Sequence, residues 1–305
     1  MSGKNAPTLS VVVVAFNGSA LLRRCLKSLR SQTLKDGVEV LVIDRGEADQ
    51  EEERRLRQWF REVQWIRASG TDTVAQMRAL GIGRSRGQIV ALLEDDCIAS
   101  ETWCARLVET HRGNDAAVGG AVGPGEYSKV LDWALYFCEY GRYMPPLPEG
   151  EVSALPGTNV SYKRTALTGL LGSGLSSHAF YETFVHLALR RAGQTLRADP
   201  ALMVRNISSW TVSRALLARY HHGRTFAGLR VAGRSLWRRV PFLGLAVVLP
   251  ILQVGRITKQ VLIRKRYVRE MRRALPWIAL SSISWSMGEF VGYLLGPGRS
   301  PQQWR

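Results

Sequence analysis

Three consecutive carboxylates, Glu94, Asp95 and Asp96, are the residues whose types and spacing point most directly to chemistry. They follow an aliphatic run, residues 89–93, which is long enough for one β-strand and too short for a typical helix. Residues just beyond the carboxyl end of a strand in an open parallel sheet lie where such sheets bind ligands. Adjacent acids repel one another unless a cation or hydrogen-bond donors offset their charge. The triplet therefore indicates a site for Mg²⁺ or Mn²⁺, with an exposed acidic turn as the alternative.

The segments around the triplet alternate between strand and helix signals, and these are the elements that must position it. Residues 9–16 are a β-branched run, and residues 38–43 are a second run that ends at Asp44. Segments whose apolar residues recur at helical spacing lie between these runs. This βαβ alternation predicts a doubly wound, mainly parallel sheet flanked by helices. Strand ends converge in such a sheet, so the Phe16-Asn17 turn, Asp44 and the triplet should share one crevice.

The whole chain carries a formal net charge of +17, and almost all of this excess positive charge lies in its last third. Residues 201–305 hold 18 Lys and Arg against two acids, whereas residues 1–200 hold 24 basic and 23 acidic residues. We therefore expect a near-neutral globular domain, residues 1–205, followed by a basic helical region, residues 206–305. A basic segment of this kind prefers an anionic partner such as nucleic acid, anionic lipid or polyphosphate.

Two apolar segments, about 241–263 and 274–296, lie within the basic region. The first is interrupted by Pro250, and the second carries Glu289 and several serines. If both crossed a membrane, the cationic stretch between them would lie opposite the catalytic domain, against the positive-inside rule. The sequence therefore favours interfacial or re-entrant helices on anionic headgroups, with any true span after Arg273. A soluble basic helical hairpin is the alternative.

The four cysteines, Cys25, Cys97, Cys104 and Cys138, show neither CxxC pairing nor zinc-ligand spacing. They are interpreted as reduced thiols in a cytosolic compartment. The first residues contain no apolar core of a signal peptide, so no cleaved leader is expected.

Six segments, taken in order, resemble the inverting family 2 glycosyltransferases of the GT-A type over residues 9 to about 200. They are residues 10–18, 40–44, 78–82 with 86–90, 92–97, 157–164, and 180–183 with 189–193. Residues 285–293 also resemble the membrane-proximal tail of some bacterial members. The resemblance implies a GT-A type α/β fold and transfer of a sugar from a nucleotide-sugar donor.

The resemblance also implies roles for individual residues. Those expected to contact the donor are Ala15, Phe16, Asn17, Asp44, Asp95, Gly157 and Asn159. Arg45 stands where the family often has a second acid, so the donor is left open between a UDP- and a GDP-sugar.

Catalysis by such an enzyme needs stabilisation of the departing diphosphate and removal of a proton from the acceptor. Glu94 and Asp96 are expected to hold Mn²⁺ or Mg²⁺ as a Lewis acid. The basic residues expected to supplement the metal are Arg78, His222 and Arg224. Glu182, at the start of a predicted helix, is expected to act as the general base.

The sequence thus predicts a membrane-associated glycosyltransferase on the cytoplasmic face of the bacterial inner membrane. Its acceptor would be lipid-linked or another glycan, in polysaccharide or glycolipid synthesis. One alternative is a nucleotidyltransferase, although the turn after the first strand lacks the Gly-rich, basic loop that such enzymes use. The other is a nucleic-acid-binding protein, but long aliphatic runs among the basic residues favour lipid, so no nucleic acid partner is expected. Whether the chain forms a homo-oligomer is left open.

Overall fold

The computed structural model describes residues 6–33, 37–46, 50–171 and 179–303. The chain forms two compact units. The first comprises Met1–Gly123 and Tyr143–Ile207, and the second comprises Pro124–Arg142 and Ser208–Arg305. The sequence expectation placed residues 124–142 in the catalytic domain, whereas in the structure they group with the C-terminal helices.

One mixed sheet organises the described part of the first unit. Its strands are β1 (Leu9–Ala15), β2 (Val38–Asp44), β3 (Gln64–Arg67), β4 (Ile89–Glu94), β5 (Cys97–Ala99), β6 (Ala117–Pro124), β7 (Gly150–Glu151), β8 (Asn159–Lys163) and β9 (Leu196–Asn206). The order is β3-β2-β1-β4-β8-β6-β9-β5, and β7 pairs with β9 outside this path. Strands β3, β2, β1 and β4 run parallel, whereas β8 is antiparallel to both β4 and β6. This sheet confirms the predicted α/β class.

The parallel half aligns the strand ends that carry the polar residues. Strand β1 is buried along its whole length, as expected for a strand covered on both faces. In its register, Ala15 pairs with Asp44 of β2, and Val14 pairs with Glu94 of β4. The three strands therefore end at one edge of the sheet.

Six helices belong to the described part of the first unit. They are α1 (Ser19–Thr33), α2 (Gln50–Trp59), α3 (Val74–Arg84), α4 (Trp103–Thr110), α6 (Arg164–Leu171) and α7 (Glu182–Arg191). Thr73 and Gln76 form a reciprocal capping box that starts α3. Gly81 lets α3 lie close to the sheet, because a Cβ there would meet Val12 Cγ1 at 2.3 Å.

The second unit is helical throughout its described elements. These are α5 (Val130–Tyr140), α8 (Val212–Arg230), a 3₁₀ turn (Leu236–Arg239), α9 (Val240–Arg264), α10 (Val268–Leu295) and α11 (Ser300–Gln303). Helix α10 packs against α5, α8 and α9. This packing explains why residues 124–142, which contain α5, belong to the helical unit.

Among the described residues, one continuous helical stretch, Leu236–Arg264, is long and apolar enough to cross a membrane by length and composition. The most apolar 18-residue window of this stretch has a mean hydropathy of 1.9, and 17% of that window is buried. The sequence analysis placed any true span after Arg273, whereas the stretch that meets this test precedes Arg273. Helix α9 continues through Pro250.

Candidate active site

The middle acid of the triplet, Asp95, fixes the turn that follows β1. Its Oδ2 accepts hydrogen bonds from the backbone nitrogens of Phe16 at 3.0 Å and Asn17 at 2.8 Å, and its Oδ1 accepts one from Asn17 Nδ2 at 2.8 Å. Asp95 is completely buried, and Ala15 just before the turn is buried as well. Burial, together with the nearby charge of Asp96, raises the pKa of Asp95 to about 7 against these hydrogen bonds. Its oxygens thus serve the turn, and Phe16 and Asn17 are half-buried beside it.

The outer acids of the triplet face different partners. Asp96 Oδ2 accepts a hydrogen bond from Asn206 Nδ2 at 2.9 Å, and Asp96 is 5% exposed. Glu94 Oε1 accepts one from Arg78 Nη2 at 2.5 Å. The sequence analysis did not identify Asn206, because this residue lies on β9, more than a hundred residues from the triplet.

Arg78 connects Glu94 to the predicted general base. Its Nη1 donates to Glu182 Oε2 at 2.5 Å, so one guanidinium joins carboxylates from the end of β4 and the start of α7. The side chain of Arg78 is 5% exposed, that of Glu94 13% and that of Glu182 26%. Sequence reasoning placed Arg78 near the diphosphate and did not foresee its bond to Glu182.

The cluster holds more negative than positive charge. Burial raises the pKa of Glu94 to about 8; Arg78 opposes this shift, whereas the charges of Asp96 and Glu182 add to it. Burial alone would lower the pKa of Arg78, but the two carboxylates that it joins raise it well above its usual range. A divalent cation at this edge of the sheet would offset the excess of carboxylates.

The carboxylates of Glu94 and Asp96 can hold such a cation only if other ligands complete its coordination. No group of three His, Cys, Asp or Glu residues within the described ranges is arranged to hold a metal. Glu94 and Asp96 supply the hard carboxylate oxygens that Mg²⁺ and Mn²⁺ prefer. Mg²⁺ usually keeps waters and substrate phosphates alongside one or two carboxylates. The residues therefore fit a metal that binds together with a diphosphate.

Asp44 lies at the same sheet edge with a pairing that the sequence did not reveal. Its Oδ1 accepts hydrogen bonds from Arg67 Nη1 at 2.9 Å and from the backbone nitrogen of Gly46. Its Oδ2 is buried and has no hydrogen-bond partner in the described part of the chain. Arg67 also bonds Glu53 at 2.6 and 2.7 Å. Arg67 ends β3 directly opposite Asp44 at the end of β2. Its position at the end of a neighbouring strand is the signal by which the sequence could have indicated it.

Gly157 and Asn159, both predicted to contact the donor sugar, occupy different surroundings. A Cβ at Gly157 would lie 2.9 Å from Glu182 Oε1 and 3.0 Å from Arg78 Nη2, so Gly157 borders the charged cluster. Asn159 is completely buried; its Nδ2 donates to the carbonyls of Ala121 and Leu202, and its Oδ1 accepts from Trp103 Nε1. The donor-contact prediction for Asn159 conflicts with this environment, because both amide hydrogens already link parts of the fold.

His222 and Arg224 lie on α8 in the second unit. The His222 ring is 4.8 Å from the Trp285 ring, and Arg224 Nε donates to the carbonyl of Gly296 at 3.2 Å. These two contacts join α8 to α10 and the residue that follows it. A role for either residue at the diphosphate stays a prediction.

The fold and the carboxylates at the end of β4 define a GT-A-type glycosyltransferase. Residues 10–169 match the family described as Glycosyl transferase family 2, and the chain belongs to this family. Family membership favours neither the nucleotidyltransferase nor the nucleic-acid-binding alternative.

Relatives and a solved structure agree with this assignment. Glycosyltransferase AglE from Haloferax volcanii is 32% identical over 120 residues, covering 38% of this chain and 40% of the relative. Glucosyl-dolichyl phosphate glucuronosyltransferase from the same organism is 29% identical over 172 residues, covering 51% of this chain and 52% of the relative. The chain thus matches about half or less of each relative's length.

The fold is similar to that of a mannosyltransferase from Pyrobaculum calidifontis, solved in complex with GDP-Man and Mn²⁺. The TM-score is 0.57, covering 95% of this chain and 88% of the other. At 14% identity, this similarity shows the fold alone.

Proposed function

We propose that this family 2 glycosyltransferase moves a sugar from a UDP- or GDP-sugar to a hydroxyl of a lipid-linked or other glycan acceptor, with inversion at the anomeric carbon. The observation that carries the proposal is that one buried arginine, Arg78, bonds both Glu94, two residues before Asp96, and Glu182. It brings a candidate metal–diphosphate site and a candidate base together on separate elements. The solved relative in complex with GDP-Man and Mn²⁺ supports a nucleotide-sugar donor and a divalent metal.

The donor would lie along the carboxyl ends of β1, β2 and β4. The buried Oδ2 of Asp44 is an acceptor for an N–H group of the nucleotide base, and the turn held by Asp95 borders the diphosphate. Glu94 and Asp96 would hold Mn²⁺ or Mg²⁺, which supplies Lewis-acid stabilisation of the leaving diphosphate. Arg78 adds a positive charge beside it.

Glu182 would remove the proton of the acceptor hydroxyl. As the acceptor oxygen forms its bond to the anomeric carbon, the bond from that carbon to the diphosphate oxygen breaks, and the proton passes to Glu182. Attack from the face opposite the diphosphate inverts the configuration. A hydroxyl acceptor needs such a base, whereas an ionised phosphate acceptor does not. The acceptor implied by the name glucosyl-dolichyl phosphate glucuronosyltransferase contains a sugar.

The second unit would hold the enzyme on the cytoplasmic face of a membrane. Apolar side chains on α9 are exposed, including Val247 at 70% and Ile251 at 76%. Lys265, Arg266 and Arg269 follow at its carboxyl end and are exposed. Apolar surface beside basic residues is typical of a helix that binds anionic lipid.

A thermal-shift screen of nucleotide sugars, with Mn²⁺ or with a chelator, tests the donor proposal on the full chain in detergent. A ligand at 100 times its Kd should stabilise the fold by about 2.7 kcal/mol. We expect a UDP- or GDP-sugar to raise the unfolding temperature in Mn²⁺ and to lose this effect in the chelator. An absence of stabilisation by every nucleotide sugar would contradict the proposal.

A further inference from the structure

One guanidinium serves two carboxylates that belong to different parts of the proposed reaction. Arg78 Nη2 bonds Glu94 in the metal motif, and Arg78 Nη1 bonds Glu182, the proposed base, each at 2.5 Å. The arginine comes from α3, and its Nε is buried without a hydrogen-bond partner in the described part of the chain. A buried guanidinium bonded to two carboxyl groups is strongly held, since removing either partner leaves buried charge without compensation.

The backbone at Gly157 lies beside this bridge. A Cβ on Gly157 would approach the carboxyl carbon of Glu182 to 2.9 Å and Arg78 Nη2 to 3.0 Å. The ends of both side chains therefore lie beside Gly157. The Glu182–Arg78 pair is a defined contact, and the Glu182 side chain is 26% exposed.

A nucleoside diphosphate would bring several negative charges to the same end of β4. Arginine presents its N–H donors in a fixed fork that matches carboxylate and phosphate oxygens. The Arg78 Nη1 group, which donates to Glu182, is equally suited to donate to a diphosphate oxygen. Glu182 and the diphosphate would therefore compete for Arg78.

The pairing also occupies the oxygen that would act as the base. Glu182 Oε2 accepts a hydrogen bond from Arg78 Nη1. This oxygen can take the proton of an acceptor hydroxyl only after the arginine has turned towards a diphosphate.

We propose that Arg78 is a positioning residue that Glu182 and the donor diphosphate share. In the donor-free enzyme Arg78 holds Glu182 in an ion pair. When the donor binds, its diphosphate draws the guanidinium away, and Glu182 becomes available to the acceptor hydroxyl. This inference rests on the proposed function and makes the base available only once the donor is in place.

A double-mutant cycle on nucleotide binding tests the inference without an activity measurement. The proteins are the full-length wild type, Glu182→Gln, Arg78→Gln and the double variant, in detergent. Isothermal titration calorimetry measures the Kd of GDP and of UDP in Mn²⁺. Gln keeps the shape of Glu182 but carries no charge, so Arg78 is released to the diphosphate. We expect Glu182→Gln to tighten binding by at least about threefold when Arg78 is present and to have no such effect in the Arg78→Gln background.

An unchanged Kd in Glu182→Gln, or the same tightening in both backgrounds, would overturn the inference. If neither GDP nor UDP binds the wild type, the proposed function fails instead, so the two failures are distinguishable. If Arg78→Gln does not fold, Arg78→Lys takes its place, because lysine keeps the charge but not the fork. In the Arg78→Lys background, Glu182→Gln should then tighten nucleotide binding less than it does in the wild-type background. Equal tightening in the two backgrounds would also overturn the inference. Arg84→Gln, which removes an exposed arginine from the same helix, is the control and should leave both Kd values unchanged.

Discussion

Asp95 and Asp96 are adjacent in sequence, but their carboxylates have different partners. Asp95 accepts three hydrogen bonds from the Phe16-Asn17 turn, whereas Asp96 meets the amide of Asn206. An uncharged substitute at position 95 would place an NH₂ group against N–H donors. The same substitute at position 96 removes a negative charge but keeps its oxygen as the acceptor for Asn206 Nδ2 and turns its NH₂ group towards Cys97 Sγ, a weak acceptor. The two residues should therefore respond differently to the same substitution.

We expect Asp95→Asn to destabilise the fold by about 1–3 kcal/mol, since a buried donor is left without an acceptor. Asp96→Asn should unfold near the wild-type temperature but lose Mn²⁺-dependent binding of GDP or UDP. Thermal unfolding and calorimetry on both variants measure these effects, with the exposed Glu101→Gln as a control for loss of one negative charge. Wild-type unfolding of Asp95→Asn, or undiminished Mn²⁺-dependent binding by Asp96→Asn, would contradict the assignment.

Sequence reasoning could find a candidate residue wherever its position follows from local pattern. Asp44 and the acid triplet each follow an aliphatic run, so strand order alone brings them to one edge. Asn159 could not be interpreted in this way, because its role depends on Trp103, Ala121 and Leu202, which are distant in sequence. The direction of a side chain depends on sheet pairing, which the sequence does not display.

At the scale of elements, glycines allow α8 and α10 to pack closely. A Cβ on Gly288 would lie 2.0 Å from the carbonyl oxygen of Tyr220, and one on Gly223 would lie 2.3 Å from that of Trp285. Neither Cβ atom fits unless the backbone of one helix shifts. The two helices must therefore separate locally if either glycine gains a side chain.

We expect Gly288→Ala to lower the stability of the helical unit by about 1–3 kcal/mol, as overpacking usually does. Gly244→Ala on α9 is the matched control, because nothing lies within 4 Å of its Cβ position. Alanine there should stabilise the helix by roughly 0.5–1 kcal/mol. Thermal unfolding in the same detergent compares the two variants. Equal unfolding temperatures for Gly288→Ala and Gly244→Ala would argue against the close contact between α8 and α10.

The elements that periodicity predicts well are those whose signal is local. The parallel strands β1, β2 and β4 and helix α3 follow from their aliphatic runs and the Thr73 cap. Strand β5 was missed because it has only three residues. The antiparallel direction of β8 was missed because it depends on pairing with β4, about seventy residues away.

At the scale of the whole molecule, the basic residues are concentrated in the region that also exposes apolar side chains. Not every cation there is available to a lipid headgroup. Arg264 donates to the carbonyl oxygens of Gly141 and Arg142, so it supports the fold of the helical unit. Lys265, Arg266 and Arg269 are exposed and are the better candidates for contact with lipid.

Replacing Lys265, Arg266 and Arg269 together by Gln should weaken binding to anionic vesicles but not to neutral ones. Each basic residue near an anionic surface contributes about 1 kcal/mol. High salt should reduce this preference without releasing the protein, because the apolar face of α9 stays in the membrane. Vesicle co-sedimentation measures both effects. If the wild type ignores anionic vesicles and stays soluble without detergent, the proposed membrane association is wrong.

The central claim, that Glu182 takes the acceptor proton while Glu94 and Asp96 serve the leaving diphosphate, is tested most directly by the transfer rate of Glu182→Gln. The donor is the nucleotide sugar that most stabilises the wild type, and the acceptor is the lipid-linked glycan fraction of the source membranes. We predict a loss of about 10²–10⁴-fold at saturating donor, with nucleotide binding retained or tightened. Transfer by Glu182→Gln at a rate close to that of the wild type would contradict the account.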